Sequence, residues 1–130
     1  FIVGGQIKGQ QHELYLVYPQ GNYIRPADSK PYLVIGEVKY GKPILDRVIK
    51  PDVSIGDASR CALISMDSTL KSDLTVGPPI DFAVLKKDAD KLSSLECLNV
   101  TDETYSKVCN QWSDGIFKVF DSFPRFDWEK

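Results

Sequence analysis

SIGDASRCALISMDSTLKSDLTVGPPIDFAVLKK, residues 54–87, is the stretch that decides the fold. Ser54 is a suitable N-cap, and Asp57 stands three positions later, a spacing typical of the first turn of a helix. The helix is expected to stop before Val76-Gly77-Pro78-Pro79, because proline lacks an amide donor and restricts the residue before it. The apolar run Ile80–Leu85 that follows is too short for a helix and predicts a buried central strand.

One face of this predicted helix carries small side chains at three- and four-residue steps. Its members are Ala58, Cys61, Ala62, Ser65, Met66 and Thr69. Such a face allows close packing on a sheet or on another helix. The sequence therefore predicts a helix and an inner strand packed together and joined by a glycine–proline corner.

The remaining segments are arranged around this unit. Residues 1–25 predict three short antiparallel strands, and further strands are expected over Tyr32–Ile35 and Leu95–Val100. A short helix should follow Gly41-Lys42-Pro43, since proline suits the first helical position. A final helix should begin with Thr101 as its cap. This order predicts an α+β fold with mostly antiparallel sheet and about three helices.

The final helix carries an apolar stripe, and an aromatic tail follows it. The stripe consists of Tyr105, Val108, Cys109, Trp112, Ile116, Val119 or Phe120, and Phe123. Pro124 should end the helix, and the tail is Arg125-Phe126-Asp127-Trp128. Both are expected to pack against other parts of the protein.

The composition of the 130 residues excludes several classes of function. With 42% hydrophobic and 26% charged residues, the chain is a globular domain or part of one. A formal charge of −2 argues against nucleic acid as a partner. No apolar run approaches the ~20 residues of a membrane span, so no membrane partner is expected. The three cysteines, Cys61, Cys97 and Cys109, are scattered in apolar patterns and predict reduced, buried thiols in the cytoplasm.

The chain opens on Phe1, and its only methionine is Met66. We therefore expect that residues upstream of Phe1 have been removed by processing, proteolysis or design.

Short matches to known catalytic patterns do not assemble into a site. Ile2-Val3-Gly4-Gly5 resembles the opening of activated trypsin-like proteases, but Phe1 precedes the isoleucine amine and the lone histidine, His12, lies in a polar turn. No serine–histidine–aspartate triad can be built from these residues. The cysteines and His12 show no zinc-ligand spacing, and no glycine-rich phosphate loop is present, so neither a metal nor a cofactor is expected.

Four longer segments carry a stronger signal. They are Ile2-Val3-Gly4-Gly5-Gln6, Tyr18-Pro19-Gln20-Gly21-Asn22, IGEVKYGKPILD at residues 35–46, and VGPPID at residues 76–81. In order and spacing they resemble the second half of a proteasome-type subunit, and within that class the bacterial ancestral β-subunit group called Anbu. The resemblance covers essentially the whole chain, so residues 1–130 are expected to be the C-terminal portion of a single domain.

This resemblance implies half of an N-terminal-nucleophile (Ntn) hydrolase fold, a four-layer αββα sandwich. It also implies peptide-bond hydrolysis in the cytoplasm inside a self-compartmentalised homo-oligomer of like subunits. In that class a threonine or serine at the mature N-terminus attacks the peptide, its own amine acts as base, and a lysine and an acid tune it. All of these groups are expected upstream of Phe1, so no catalytic residue is assigned within the chain.

The resemblance leaves four residues as candidates for a supporting role: Asp73, Gly36, Glu37 and Gly77. Asp73 falls at the aspartate that follows the long helix in such subunits. Val76, next to Gly77, stands where the class has a serine, and Ile35-Gly36-Glu37 replaces a Gly-Ser-Gly turn. One of three supporting polar positions is therefore retained, and a solvated helix-end carboxylate is an equally good interpretation of Asp73.

Three hypotheses follow. The chain is half of a threonine-type peptidase subunit and is inactive alone, or it is a non-catalytic binding or assembly module. An amidase-type Ntn hydrolase is the third, because the residues of a substrate pocket would mostly lie upstream.

Overall fold

The computed structural model describes residues 1–99 and 101–129. It contains β1 (Ile2–Gln6), β2 (His12–Val17), β3 (Tyr23–Ile24), α1 (Lys42–Val48), α2 (Ile55–Ser72), β4 (Ile80–Val84), β5 (Ser94–Leu98), α3 (Glu103–Asp121) and a 3₁₀ turn, Asp127–Glu129. Two antiparallel sheets form, β1-β2-β3 and β4-β5. The predicted α+β class with antiparallel sheet and three α-helices is confirmed.

The first sheet is the meander that the sequence predicts. β1 pairs with β2 in a register that places Ile2 opposite Leu16 and Gln6 opposite His12. β2 pairs with β3, where Val17 lies opposite Tyr23. Gly21 takes a φ of +86° in the turn between β2 and β3, a conformation that glycine adopts without a steric penalty.

The strand predicted over Tyr32–Ile35 does not form. None of the described strands pairs with these residues, and a strand requires a neighbour to satisfy its amides and carbonyls. Tyr32 and Val34 instead pack against the hydrophobic core.

The long helix α2 begins as predicted, because the Ser54 hydroxyl accepts a hydrogen bond from the Asp57 amide at 3.0 Å. The small face is only partly buried: Cys61, Ser65 and Thr69 are buried, whereas Ala62 and Met66 are exposed. The main neighbours of α2 are the helices α1 and α3. The buried face meets the start of α1, so of the two kinds of neighbour that the small face allows the structure shows a helix, and packing of α2 on an inner sheet stays a prediction.

Strand β4 differs from the prediction of a fully buried central strand. In the described part of the chain it pairs with β5 alone, with Ile80 opposite Leu98 and Val84 opposite Ser94. Its side chains alternate between half-buried and exposed, and Asp81 and Ala83 are on the exposed face. A strand with one partner and one covered face does not need to be apolar throughout. Val100, at the end of the predicted last strand, lies outside the described residues.

Helix α3 begins one residue later than predicted. Asp102, not Thr101, is the N-cap, and its carboxylate accepts a hydrogen bond from the Tyr105 amide at 3.0 Å. Tyr105 and Cys109 are buried and Trp112 is half-buried. The C-terminal half of the stripe and the aromatic tail are exposed in the described chain, and their packing against another part of the protein stays a prediction.

The hydrophobic core is small and lies between α1 and α2. Its buried members are Leu45, Ile49 and Cys61, with five partly buried residues packed around them: Tyr32, Val34, Ile44, Val53 and Ala58. All three cysteines are free thiols. Cys97 is exposed in β5, so the prediction that all three are buried is wrong for this one.

Residues from both sheets and the loops beside them line an open cleft of about 620 Å³. Residues of β1 and β2, including Gly4 and Leu14, line one side, and Ala83 and Leu85 line the other. One pair of polar residues links the sheets: the Gln6 side-chain amide donates to Asp88 Oδ1 at 3.0 Å, and the Asp88 amide donates to Gln6 Oε1 at 2.6 Å. None of the described helices is long and apolar enough to cross a membrane.

Candidate functional site

The candidate site is the corner where α2 ends. Asp73 is the C-cap of α2, and its amide donates to the Thr69 carbonyl at 2.9 Å. Its Oδ1 accepts two hydrogen bonds from Thr75, from the hydroxyl at 2.7 Å and from the amide at 2.8 Å. These bonds favour the ionised form and lower the pKa of Asp73 below its ordinary value. The corner therefore holds an ionised carboxylate that Thr75 orients.

A second segment, residues 36–41, approaches this corner. Gly36 has a φ of +78°, and Glu37 Oε1 accepts a hydrogen bond from the Lys39 amide at 2.7 Å. The positive charge of Lys39 also contributes to lowering the pKa of Asp73. Lys39 is therefore near enough to Asp73 for their charges to interact, whereas the hydrogen bond of Glu37 stays within its own segment.

Gly41 anchors this segment on α2. It is buried, and a Cβ atom at this position would lie 2.8 Å from the Ser65 carbonyl oxygen and 3.0 Å from Thr69 Oγ1. The backbone of the segment therefore runs directly against the small face of α2. Here the small side chains perform the role that the sequence pattern predicts, with α1 as the neighbour.

Gly77 is the sequence-predicted residue that the corner does not include. It is exposed, and no atom lies within 4 Å of where its Cβ would be. The hydrogen bond nearest to it in sequence is from the Val76 amide to the Asp73 carbonyl at 3.2 Å. Gly77 follows the turn but touches none of the polar groups in it.

Sequence reasoning missed two residues of the corner, Thr75 and Lys39. Asp73-Leu74-Thr75 is a pattern in which an aspartate binds the amide two residues on, so Thr75 could have been found from it. Lys39 carried no such signal, because its proximity to Asp73 depends on how α1 packs on α2.

The chemistry available at this corner is limited to orienting and polarising a neighbouring group. An ionised carboxylate and a threonine hydroxyl can hold a partner by hydrogen bonds. The lowered pKa of Asp73 makes its carboxylate a weak base toward the Thr75 hydroxyl. Burial raises the pKa values of the Cys61 and Cys109 thiols, which makes them poor nucleophiles. Within residues 1–99 and 101–129 no three histidine, cysteine or acidic side chains converge as metal ligands do.

A second polar cluster centres on Asp46 of α1. Its Oδ1 accepts hydrogen bonds from Lys30 Nζ at 2.6 Å and from the Tyr32 hydroxyl at 2.7 Å, and its Oδ2 accepts one from Lys42 Nζ at 2.7 Å. The bonds from Lys30, Lys42 and Tyr32 lower the pKa of Asp46 well below its ordinary value. This cluster fastens residues 30–32 to α1.

Replacing Asp46 with asparagine should lower the free energy of unfolding by an amount that depends on pH. The pKa of Asp46 is lower in the folded chain than its ordinary value of 3.8, so the ionised carboxylate stabilises the fold above that pH. The difference in free energy of unfolding between the wild type and Asp46→Asn should be constant near neutral pH and shrink as the pH falls below about 4. Urea unfolding across this range measures it, with Asp28→Asn as the control. A difference that persists unchanged to pH 3 would contradict the interpretation.

The chain was compared with known families and structures. No family model matches it, and no curated protein does. Among solved structures, Anbu from Hyphomicrobium sp. strain MC1 is 43% identical with a TM-score of 0.91. Anbu (ancestral beta-subunit) from Yersinia bercovieri is 40% identical with a TM-score of 0.93. Each match covers 97% of this chain and 54% of the other. A chain from the helical assembly of the Anbu complex from Pseudomonas aeruginosa is 40% identical with a TM-score of 0.87. That match covers 96% of this chain and 52% of the other.

The two antiparallel sheets, the helices and the α2–β4 corner thus place the chain in the class of proteasome-like β-subunits. Within that class it belongs to the Anbu group. It spans just over half the length of the Anbu chains that it matches.

Proposed function

We propose that residues 1–130 form the C-terminal portion of a proteasome-like peptidase subunit and support a nucleophile that the other half supplies. The observation that carries the proposal is a match over 97% of this chain to only 54% of an Anbu chain. The peptide-cleaving groups of an Ntn hydrolase are an N-terminal threonine or serine and its own amine. In this proposal those groups lie in the half that the chain does not match.

The exposed apolar surface supports the same proposal. Six hydrophobic residues are buried among those described, whereas twenty-two large hydrophobic residues are exposed. Apolar surface on this scale ordinarily marks a region that another polypeptide covers. The proposed complement is the remainder of the subunit together with like subunits of a homo-oligomer.

Asp73 has the supporting role in this proposal. Its carboxylate is ionised, fixed by two bonds from Thr75, and close enough to Lys39 for their charges to interact. Such a group can orient the hydrogen-bond network around a neighbouring nucleophile. Gly36 and Glu37 shape the segment that carries Lys39, while Gly77 is left as a turn residue.

Reconstitution tests the proposal. The chain alone should hydrolyse no fluorogenic peptide, and hydrolysis should appear when it is joined to an upstream half beginning with threonine or serine. In the joined protein, Asp73→Ala should lower kcat by about tenfold to a hundredfold, since orienting contacts are worth a few kcal/mol. Leu74→Ala is the matched control, because Leu74 is fully exposed beside Asp73. Turnover by the chain alone that depends on Asp73 would contradict the proposal.

A second candidate function is an assembly module without catalysis, which the same exposed apolar residues favour. A joined protein that assembles but cleaves neither peptides nor amides would favour it. A cytoplasmic location belongs to the first proposal, and the three free thiols support it.

A further inference from the structure

In the described part of the chain, one neighbour holds the carboxylate of Asp73. Thr75 donates both of the hydrogen bonds to it, from its hydroxyl at 2.7 Å and from its amide at 2.8 Å. Lys39 acts on the same carboxylate through its charge and not through a hydrogen bond. Among residues 1–99 and 101–129, the orientation of the carboxylate therefore depends on Thr75.

The two bonds from Thr75 end on the same oxygen atom. Asp73 Oδ1 accepts both of them, which uses both of the lone pairs that a carboxylate oxygen offers. Within the described residues, no hydrogen bond from a side chain or an amide reaches Oδ2. Asp73 therefore presents one particular oxygen, Oδ2, as the acceptor for a group that approaches the corner.

The other hydrogen bonds of the corner fix the backbone of Asp73 and leave its side chain free to rotate. The Asp73 amide donates to the Thr69 carbonyl at 2.9 Å, and the Asp73 carbonyl accepts from the Val76 amide at 3.2 Å. Leu74, which separates Asp73 from Thr75, is fully exposed and makes no packing contact that could hold the turn. The end of α2 thus sets where Asp73 stands, and Thr75 sets where its carboxylate points.

The threonine side chain contributes something that the backbone cannot. Any residue other than proline would supply the amide bond to Oδ1, which is the ordinary bond of an aspartate turn. The hydroxyl adds a second, charge-assisted bond to the same oxygen, and such bonds are stronger than those between neutral groups. Two donors on one oxygen resist rotation of the carboxylate, and the branched Cβ of threonine limits where its hydroxyl can point.

We propose that Thr75 is a positioning residue of the peptidase, whose hydroxyl and amide bind Asp73 Oδ1 and thereby turn Oδ2 toward a hydrogen-bond donor of the other half. This inference deepens the proposed function and rests on it, since the donor belongs to the half that the chain does not match. Thr75 contacts neither the peptide nor the nucleophile in this arrangement and acts through Asp73. The same two bonds favour the ionised carboxylate, in agreement with the lowered pKa of Asp73.

Titration of the Asp73 carboxyl carbon by NMR tests the hydroxyl bond in the chain as it is. Thr75→Val keeps the shape and the amide but loses the hydroxyl, and it should raise the pKa of Asp73 toward its ordinary value of 3.8. Thr75→Ser keeps the hydroxyl and should leave that pKa low. Thr75 is exposed, so these variants should fold, which circular dichroism checks. Thr104→Val, at an exposed threonine of α3, is the matched control. A Thr75→Val chain in which Asp73 titrates as in the wild type would overturn the inference.

The pH profile of the joined protein provides the second readout. Thr75→Val should lower kcat about tenfold and leave KM unchanged, because a bond to a charged group is lost and no contact with the peptide is. A higher pKa of Asp73 means that its carboxylate takes up a proton at a higher pH. The acid side of the kcat profile should therefore move to higher pH in Thr75→Val and return in Thr75→Ser. A merely structural role of Thr75 would not move the profile.

Replacing Asp73 with asparagine tests which oxygen is presented. Both groups of Thr75 donate, so the asparagine oxygen must take the place of Oδ1 and its amide nitrogen the place of Oδ2. A donor would then face the donor of the other half. In the joined protein, Asp73→Asn should therefore lower kcat as far as Asp73→Ala does, although its shape is unchanged. An Asp73→Asn protein with the kcat of the wild type would overturn the inference.

These outcomes are separable from those of the proposed function. If the joined protein cleaves peptides and Thr75→Val changes neither kcat nor its pH profile, the role of Thr75 is wrong and the peptidase proposal stands. If the joined protein cleaves no peptide, the proposed function fails, and the role of Thr75 as a positioning residue for that reaction fails with it. In that case the NMR titration still shows whether Thr75 holds the carboxylate of Asp73.

Discussion

Replacing Gly41 with valine is expected to lower the free energy of unfolding by about 3 kcal/mol, the upper end for overpacking a tight contact. The new side chain would meet Ser65 Oγ, the Ser65 carbonyl oxygen at 2.8 Å and Thr69 Oγ1 at 3.0 Å. The serine hydroxyl can rotate away, but the carbonyl belongs to the backbone of α2 and cannot. The start of α1 must therefore move away from α2, and the core between them must loosen.

Urea unfolding followed by circular dichroism measures this loss. Gly77→Val is the matched control, because no atom lies within 4 Å of a Cβ at that position. The control should stay within about 0.5 kcal/mol of the wild type, as surface substitutions ordinarily do. A Gly41→Val chain that unfolds at the same urea concentration as the wild type would show that the two helices are not in close contact.

Truncating Leu45 to alanine should destabilise the chain by about 3 kcal/mol. Leu45 is one of three buried members of the core between α1 and α2, and a leucine-to-alanine change in a core costs about 2–5 kcal/mol. Because the core is small, few neighbouring side chains can move into the cavity that the substitution leaves. The free energy of unfolding in urea is again the measurement, and Leu74→Ala, at a fully exposed leucine, is the comparison. A loss below 1 kcal/mol for Leu45→Ala would mean that this cluster is not the core.

Local sequence signals predicted the elements whose causes lie within a few residues. The Ser54 cap, the proline in the first turn of α1 and the turn at Gly21 act through neighbours in sequence, so each is found where the sequence predicts it. The end of α2 before the diproline has the same origin.

Predictions failed where the deciding partner is distant in sequence. Residues 32–35 have the composition of a strand, but a strand also needs a paired neighbour, and no described strand provides one. The apolar run at β4 predicted burial on both faces, whereas one partner strand leaves Asp81 and Ala83 exposed. At the candidate site, Asp73 could be assigned from the resemblance, but its interaction with Lys39 depends on the packing of α1 on α2.

The prediction that the apolar stripe of α3 is buried is confirmed only for its first part. Its period correctly predicted a helix with one apolar face, and the first part of that face is buried at Tyr105 and Cys109. The helical spacing of apolar residues indicates that one face of α3 is covered, but it does not indicate which part of the protein covers it. For the exposed residues from Ile116 onward, packing against another part of the protein therefore stays a prediction.

In the described part of the chain, one pair of polar residues, Gln6 and Asp88, links the end of β1 to the turn after β4, and this has a consequence for how the chain opens. Helices α1 and α2 share the core and α3 contacts α2, whereas each sheet has its main contacts within itself. The helices and each sheet can therefore open separately, because local opening breaks only the contacts within the part that opens. The free energy of opening should differ between these parts. Backbone amides of α2 should therefore exchange with solvent deuterium far more slowly than those of β1 and β4.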